Sequence, residues 1–364
     1  VETITPEITI VYNKRNVTAD LLPYLAAFEY LDNATGKSDE VTIQLADPAG
    51  LFIGDWYPEK GDTLEIYFGF VGNMVPAGLF EIDQIEVSGQ PSTVSLMAIA
   101  APTSRALRTR RSVAHENSSL RKIAEKVAER NGLTVTGQID EALAVRRATQ
   151  NRETDLSFLY RLARKYGYGF NVRGADLVFY SLYALEGEAA KKTIDLADVV
   201  SYAFRAKTAA TYKSAQLSYH NPDTQEIVSF ENGEDTLAFF TGASATLPTR
   251  TAAPVSAQQE AVFFENGEDT LAFFTGSADT LRVYEKAKDP ATAAAVTRAA
   301  LYEKNTQKVT GALVVVGDVN LLAGNNIEVT GAGKFSGRYH IESSRHTITP
   351  AGGYGTSLEI KKVG

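Results

Sequence analysis

TQNRETDLSFLYRLARKYGYGFNV, residues 149–172, contains a helix start, a helix stop and the opening of a strand. Leu156, Leu159, Leu162, Ala163 and Tyr166 recur at helical spacing and predict one buried face, with Phe158 packing beside them. Thr154 stands where a hydroxyl can accept from the free N–H groups of the first turn, and Asp155 sits at the positive end of the helix. Gly167 supplies the stop. Tyr168 to Val172 then alternates as a strand, with a partner expected from Leu177 to Tyr180 across a turn through Gly174.

Upstream, Leu120, Ile123, Ala124, Val127 and Ala128 mark a second amphipathic helix, with Asn117 or Ser118 as its cap and Gly132 as its close. The first hundred residues read as β. Apolar side chains alternate at Ile8, Ile10 and Tyr12, at Val41, Ile43 and Leu45, at Leu64, Ile66 and Phe68, and at Val94, Leu96 and Ala98. Turn residues separate these runs, and a barrel or sandwich is the natural closure. The expected class is therefore mainly β with an α+β insert.

Downstream, strand patterning returns from Tyr212 to Tyr219. FENGEDTLAFFTG occurs at Phe230–Gly242 and again, unchanged, at Phe264–Gly276, with Thr246-Leu247 matching Thr280-Leu281. A spacing of 34 residues invites a helical-repeat reading, but two copies are too few to stack and the Asn-Gly and Thr-Gly pairs break a helix. The segment reads as a local tandem duplication. Asp289 and Pro290 then start an alanine-rich helix running to about Asn305, and the remainder is β.

The 364 residues exceed what one hydrophobic core usually serves, so several domains are expected. No apolar run nears the roughly 18 residues that cross a bilayer, and no basic-then-apolar leader opens the sequence, so folding in the cytoplasm is expected. Cysteine is absent, which excludes disulfides and thiol chemistry. A net charge of −8 argues against a nucleic-acid grip, which needs a basic face.

Catalytic patterns are missing. His115, His220, His340 and His346 form no i, i+4 pair, and His340 and His346 read as hydrogen-bonded structural residues. GAGKFSG, 331–337, has neither phosphate-loop spacing nor a following helix, and reads as a hairpin turn. No G-x-S-x-G occurs. Asp39-Glu40 and Glu234-Asp235 read as solvated turns, and the basic run 105–111 as an exposed linker. No catalytic residue, metal site or cofactor is expected.

Thr149–Val172, with Glu153-Thr154-Asp155 before a Phe-Leu-x-x-Leu-Ala helix ending in Tyr-Gly, resembles the phage late control gene D family. The same pattern is shared by the N-terminal part of type VI secretion valine-glycine repeat proteins. The closing region fits as well, through Gly317, Leu322-x-Gly324, Ile327-x-Val329, Arg338-Tyr339-His340-Ile341, His346 and Gly352-Gly353-Tyr354. So does the opening, through Asp47, Trp56-Tyr57-Pro58 and Gly61-Asp62. The duplicated segment is a departure from the family.

The resemblance implies a non-enzymatic baseplate hub of a contractile phage tail or injection machine, assembled in the host cytoplasm and located in the virion tail baseplate. It implies two barrel-like tube domains plus a small α/β domain. Residues 1–105 would be the first tube domain and 106–188 the insert. The second tube domain would take 189–225 and 306–364, interrupted by the duplicated segment (226–285) and a helix (286–305). A homotrimer would adapt the sixfold tail tube protein to a separate trimeric spike protein, the separateness being expected because the sequence stops at Gly364. Other baseplate proteins and the tape measure protein would be neighbours, and genome DNA would pass through the lumen without specific binding. Leu237, Phe239, Phe240, Leu271, Phe273 and Phe274 are the candidate protein interface, because a loop cannot bury six large apolar side chains by itself. The second reading is a tail-associated cell-wall hydrolase, and a secreted adhesin is disfavoured by the missing leader and disulfides.

Overall fold

The computed structural model describes residues 5–35, 37–100, 109–173, 176–207, 212–220, 227–233, 280–285, 287, 289–305 and 308–363. The opening third supplies β1 (Pro6–Tyr12), β2 (Arg15–Asn16), β3 (Leu25–Asn33), β4 (Glu40–Ala46), β5 (Thr63–Phe70), β6 (Asn73–Ser88) and β7 (Thr93–Ala100). The insert holds β8 (Arg110–Ser119), β9 (Thr134–Gly137), β10 (Ala144–Thr154), β11 (Tyr168–Arg173) and β12 (Asp176–Ser181), with helices at Leu120–Arg130, Asp155–Lys165 and Leu182–Gly187. Next come β13 (Lys192–Asp195), β14 (Ser201–Ala206), β15 (Ser214–His220), β16 (Ile227–Gly233) and β17 (Thr280–Val283). The helix Pro290–Asn305 leads to β18 (Val309–Val316), β19 (Asn326–Thr330), β20 (Gly337–Thr349) and β21 (Gly353–Lys362).

Both ends of the sequence meet in one sheet. Its strands follow the order β14-β18-β21-β20-β3-β4-β7-β6-β5-β1-β2, with β19 also on β20 and β13 on β19. The seam is β20. Its opening residues, Gly337–His340, pair with β19, and its later residues, Ser343–Ile348, pair with β3. A register irregularity between Ile341 and Ser343 marks the changeover.

The sheet serves two cores. Ile10, Phe28, Ile43, Ile66, Phe68 and Phe80 fill the first, together with Ile348 and Tyr354 from the closing strands and Val319 from the connection between β18 and β19. Leu313, Leu321, Val329, Tyr339, Ile341 and Leu358 fill the second. Burying such side chains contributes about 1.5–3 kcal/mol each, and the alternation read from the sequence is what aims them inward. The chain is thus mainly β with an α+β insert, as expected, and its two barrel-like halves are fused through β3 and β20.

The insert has its own core. Ile123, Val127, Phe158, Leu159 and Leu162 face each other from two helices, over Phe170, Leu177 and Phe179. Ser119, one residue beyond the positions read from the sequence, caps the first helix by accepting from Lys122 N at 3.3 Å. Thr154 caps the second by accepting from Ser157 N at 3.2 Å. Gly132 and Gly167 close these helices at φ +69° and +78°. Asp289 caps the later helix by accepting from Thr292 N at 2.7 Å.

β13 and β14 join the main sheet, whereas β15 lies in a separate sheet ordered β16-β15-β17. Its Leu217 is fully buried with Ala293 and Val296 against the core of the insert, so this strand and the Pro290–Asn305 helix extend the insert. Polar contacts fix the insert to the sheet: Tyr180 Oη donates to Ala34 O, and Asn171 Nδ2 donates to Asn33 O at 3.4 Å. Asn326 Nδ2 donates to the carbonyls of Leu185 and Glu188, each at 2.8 Å.

Candidate functional site

Among the described residues, three of the four histidines and two polar clusters are held in scaffold contacts. His346 is fully buried in the main sheet. Ser344 gives its hydroxyl proton to Leu321 O, so it accepts from His346 Nε2, 3.0 Å away. That assigns the proton to Nε2 and leaves Nδ1 to accept from Tyr354 Oη at 2.7 Å. His340 Nδ1 lies 2.9 Å from Asn326 Oδ1. Burial holds both imidazoles neutral, with pKa values lowered to about 4, and the Lys361 ammonium adds to the effect at His340. His115 stacks on Phe158 at 5.3 Å, and burial lowers its pKa too.

Asp155 is not the exposed helix-end residue that its position suggests; its side chain is completely buried. Its Oδ1 accepts from Arg130 at 2.5 Å and Gln150 at 2.8 Å, and its Oδ2 accepts from Arg130 Nε at 3.0 Å and Asn131 at 2.9 Å. Arg111, from the run read as a linker, comes within 3.8 Å. A second polar cluster joins the insert to the sheet. Lys361 Nζ contacts Glu186 at 2.8 Å and donates to Tyr302 Oη at 3.1 Å, while Tyr302 Oη donates to Glu186. Burial first, then the Glu186 carboxylate, push the Tyr302 phenol well above its usual range.

Among the described residues no group of three His, Asp or Glu could hold a metal ion. Asp39 accepts from Asn33 N at 2.9 Å and Glu40 opens β4, so this pair belongs to a strand entry. The segment 331–337 does connect β19 to β20 as a hairpin. Leu237, Phe239, Phe240, Leu271, Phe273 and Phe274, the candidate interface, lie outside the described residues, as does Glu234-Asp235.

A surface that sequence reading missed lies at one end of the main sheet. Leu22, Ile53, Trp56 and Tyr57 are each about half exposed. They surround a ring cluster in which Tyr24, Phe52 and Trp56 meet edge to face at 5.3–6.3 Å. Val200 and Val316 stand exposed at the same strand ends of the other half, 68% and 70% accessible. The insert contacts the opposite end, at Asn33 and Ala34. The only signal in the sequence was the single tryptophan within a turn-rich run.

Comparison with known proteins gives this scaffold its context. No family model matches the chain. Over 179 residues it is 29% identical to the probable baseplate hub protein of Escherichia phage P2, covering 49% of this chain and 46% of that protein. Over about half of its length the chain is similar to phage baseplate hub proteins. It spans about half the length of the curated relatives it matches. Among solved structures, the tail protein from Neisseria meningitidis MC58 superposes with a TM-score of 0.63 at 11% identity, covering 98% of this chain and 97% of that one. A type VI secretion component of E. coli, described as structurally similar to T4 bacteriophage tail proteins, gives 0.51 at 12% identity over 92% and 73%. At such identities the likeness is one of fold, and the chain thus has the fold of these tail proteins.

Proposed function

We propose that the chain is a structural baseplate hub of a contractile phage tail or injection machine, adapting a sixfold tail tube to a threefold spike, with no catalytic activity of its own. The observation that carries this reading is the β20–β3 seam, which fuses two barrel-like halves into one sheet. Three such chains around one axis present six halves, so a threefold assembly offers a near-sixfold face to a tube ring. The apolar strand-end surface appears in both halves, at Leu22, Ile53, Trp56 and Tyr57 and at Val200 and Val316, and is the face offered to the tube. The insert occupies the opposite end, toward the spike. Other baseplate proteins and the tape measure protein complete the surroundings, genome DNA passes through the lumen unbound, and assembly takes place in the host cytoplasm before the hub enters the virion.

The duplicated segment supplies the contact with a neighbouring subunit or baseplate protein through Leu237, Phe239, Phe240, Leu271, Phe273 and Phe274. Replacing these six by serine is expected to leave the far-ultraviolet dichroism of the purified chain unchanged and to lower the yield of complete particles at least tenfold. Wild-type particle yield from the variant would remove the interface role.

A further inference from the structure

The two halves of the main sheet share one strand plan. In the opening half the pairs are β3–β4, β4–β7, β7–β6, β6–β5 and β5–β1. In the closing half they are β14–β18, β18–β21, β21–β20, β20–β19 and β19–β13. β14 therefore corresponds to β3 and β20 to β6; the parallel β13–β19 pair is the one change of direction. Finer features repeat as well. A short 3-10 turn precedes β3 at Leu22–Tyr24 and β14 at Leu196–Asp198. β6 slips register against β7 between Ile82 and Gln84, and β20 slips against β21 between Ile341 and Ser343.

The halves differ in what lies beyond the slip. In β20 the residues Ser343–Ile348 are covered by β3. In β6 the corresponding residues have β7 on one side and, among the described residues, no strand on the other, because β5 reaches only to Glu81. Gln84, Glu86 and Ser88 are exposed there, and Val87 is half exposed. β14, the counterpart of β3, is the matching open edge, paired only with β18 among the described residues. Lys207 N donates to Lys308 O at 2.8 Å, so antiparallel alternation turns the N–H and C=O groups of Ala206, Phe204 and Tyr202 to the open side. An uncovered strand edge is a template for another strand. At β1, by contrast, Pro6 has no N–H to give and Ile10 N donates to Thr18 Oγ1 at 2.9 Å.

We propose that β14 of one chain pairs antiparallel with Gln84–Ser88 of a second copy, repeating between chains the β3–β20 junction within the chain. The proposal rests on the hub reading and names the surface by which its copies join. One rung fixes the register. Tyr30, Val41, Ala98 and Ile82 lie side by side in the opening half, as do Phe204, Gly311, Ile360 and Ile341 in the closing half. Tyr30 thus corresponds to Phe204. Val87, five residues past Ile82, corresponds to His346, five past Ile341. Within the chain His346 pairs with Tyr30, so between chains Val87 pairs with Phe204.

The chemistry at this register is complementary. Glu86 faces Arg205, and neither has an ion-pair partner among the described residues; the junction within the chain carries a contact of the same kind, Arg345 with Glu29. Half-exposed Val87 gains an aromatic neighbour, as His346 has in Tyr30. The two surfaces are different, so the contact is head to tail and continues round a ring instead of ending at a pair.

The chain has no cysteine, so the pairing can be trapped cleanly. Ser88 and Ala203 are opposed in the proposed register and both are exposed in the single chain. In the full chain carrying S88C and A203C, oxidation under native conditions is expected to give covalent trimers, with peptide mass spectrometry joining positions 88 and 203. An equal mixture of the two single variants should give covalent dimers and nothing larger. Charge exchange supplies a second readout. E86R and R205E should each raise the concentration for half-assembly about tenfold, and the double variant E86R/R205E should restore it. Mass photometry before oxidation counts the copies. Trimers that yield no link between positions 88 and 203 overturn the strand pairing and leave the hub reading standing. Monomers at every concentration overturn both.

Discussion

Asp155→Ala should cost the folded chain about 3–5 kcal/mol, the largest loss expected from any single polar substitution in the insert. The carboxylate is completely buried and accepts four hydrogen bonds, two of them from Arg130. Arg130 is the last residue of the Leu120–Arg130 helix and Asp155 the first of the Asp155–Lys165 helix, so each charge also sits at the dipole end that favours it. Removing the carboxylate leaves a guanidinium and two amides facing a hole, with the desolvation cost already incurred. The comparison is Arg121→Ala, which breaks an exposed i, i+4 pair with Glu125 and should cost at most about 0.5 kcal/mol. Urea unfolding of both variants decides between them. Similar midpoints would show that the buried network contributes no more than a surface ion pair.

The second large effect is a loss of stability in mild acid, carried by His340 and His346. Both fold with pKa values near 4, against about 6.5 in an unfolded chain. Between these limits the unfolded state binds more protons than the native state, so stability falls as pH falls. Their contribution is complete above pH 6.5, drains away between about 6.5 and 4, and changes no further below that. Each histidine is worth on the order of 3 kcal/mol over the window, as the shift converts at about 1.4 kcal/mol per pH unit. His346→Gln should flatten the dependence while lowering stability at neutral pH, because glutamine does not titrate in the range. Thermal unfolding of wild type and H346Q at pH 7, 6, 5 and 4.5 measures this; parallel curves for the two proteins would refute the assignment.

How much of this was legible in the sequence differs from element to element. The insert was legible because its signals are local. Thr154 caps within three residues, Gly132 and Gly167 stop helices at their own positions, and the 3.6-residue period of Leu159 and Leu162 names the buried face. Ser119 displaced Asn117 as the cap because Asn117 takes a left-handed φ of +45° while Ser119 takes the extended conformation that a cap needs.

What was not legible depended on partners far away in sequence. Alternation in β3 and β20 says which side chains face inward, but not that Tyr30 pairs with His346 across the whole chain. Leu217 reads as half of a barrel strand, and only the arrival of Val296 shows which core it joins. The burial of Asp155 was hidden for the same reason: acidic residues at helix starts are usually solvated, and nothing local announces Arg130. The strand-end surface around Trp56 was equally hidden, because exposure of an apolar residue is set by what the fold fails to cover. The hub assignment rested on motif order, from Thr149–Val172 to Arg338–Ile341, and it agrees with the phage P2 relative.

The central claim is that three copies of this chain make one ring. Cryo-electron microscopy of the purified chain, with mass photometry across a concentration series, tests it most directly. The expected result is a particle of three 39.4 kDa chains around a threefold axis, showing six barrel-like lobes on one face and the three inserts on the other. A monomer or a twofold dimer at every concentration, with and without a tube protein added, would contradict the account.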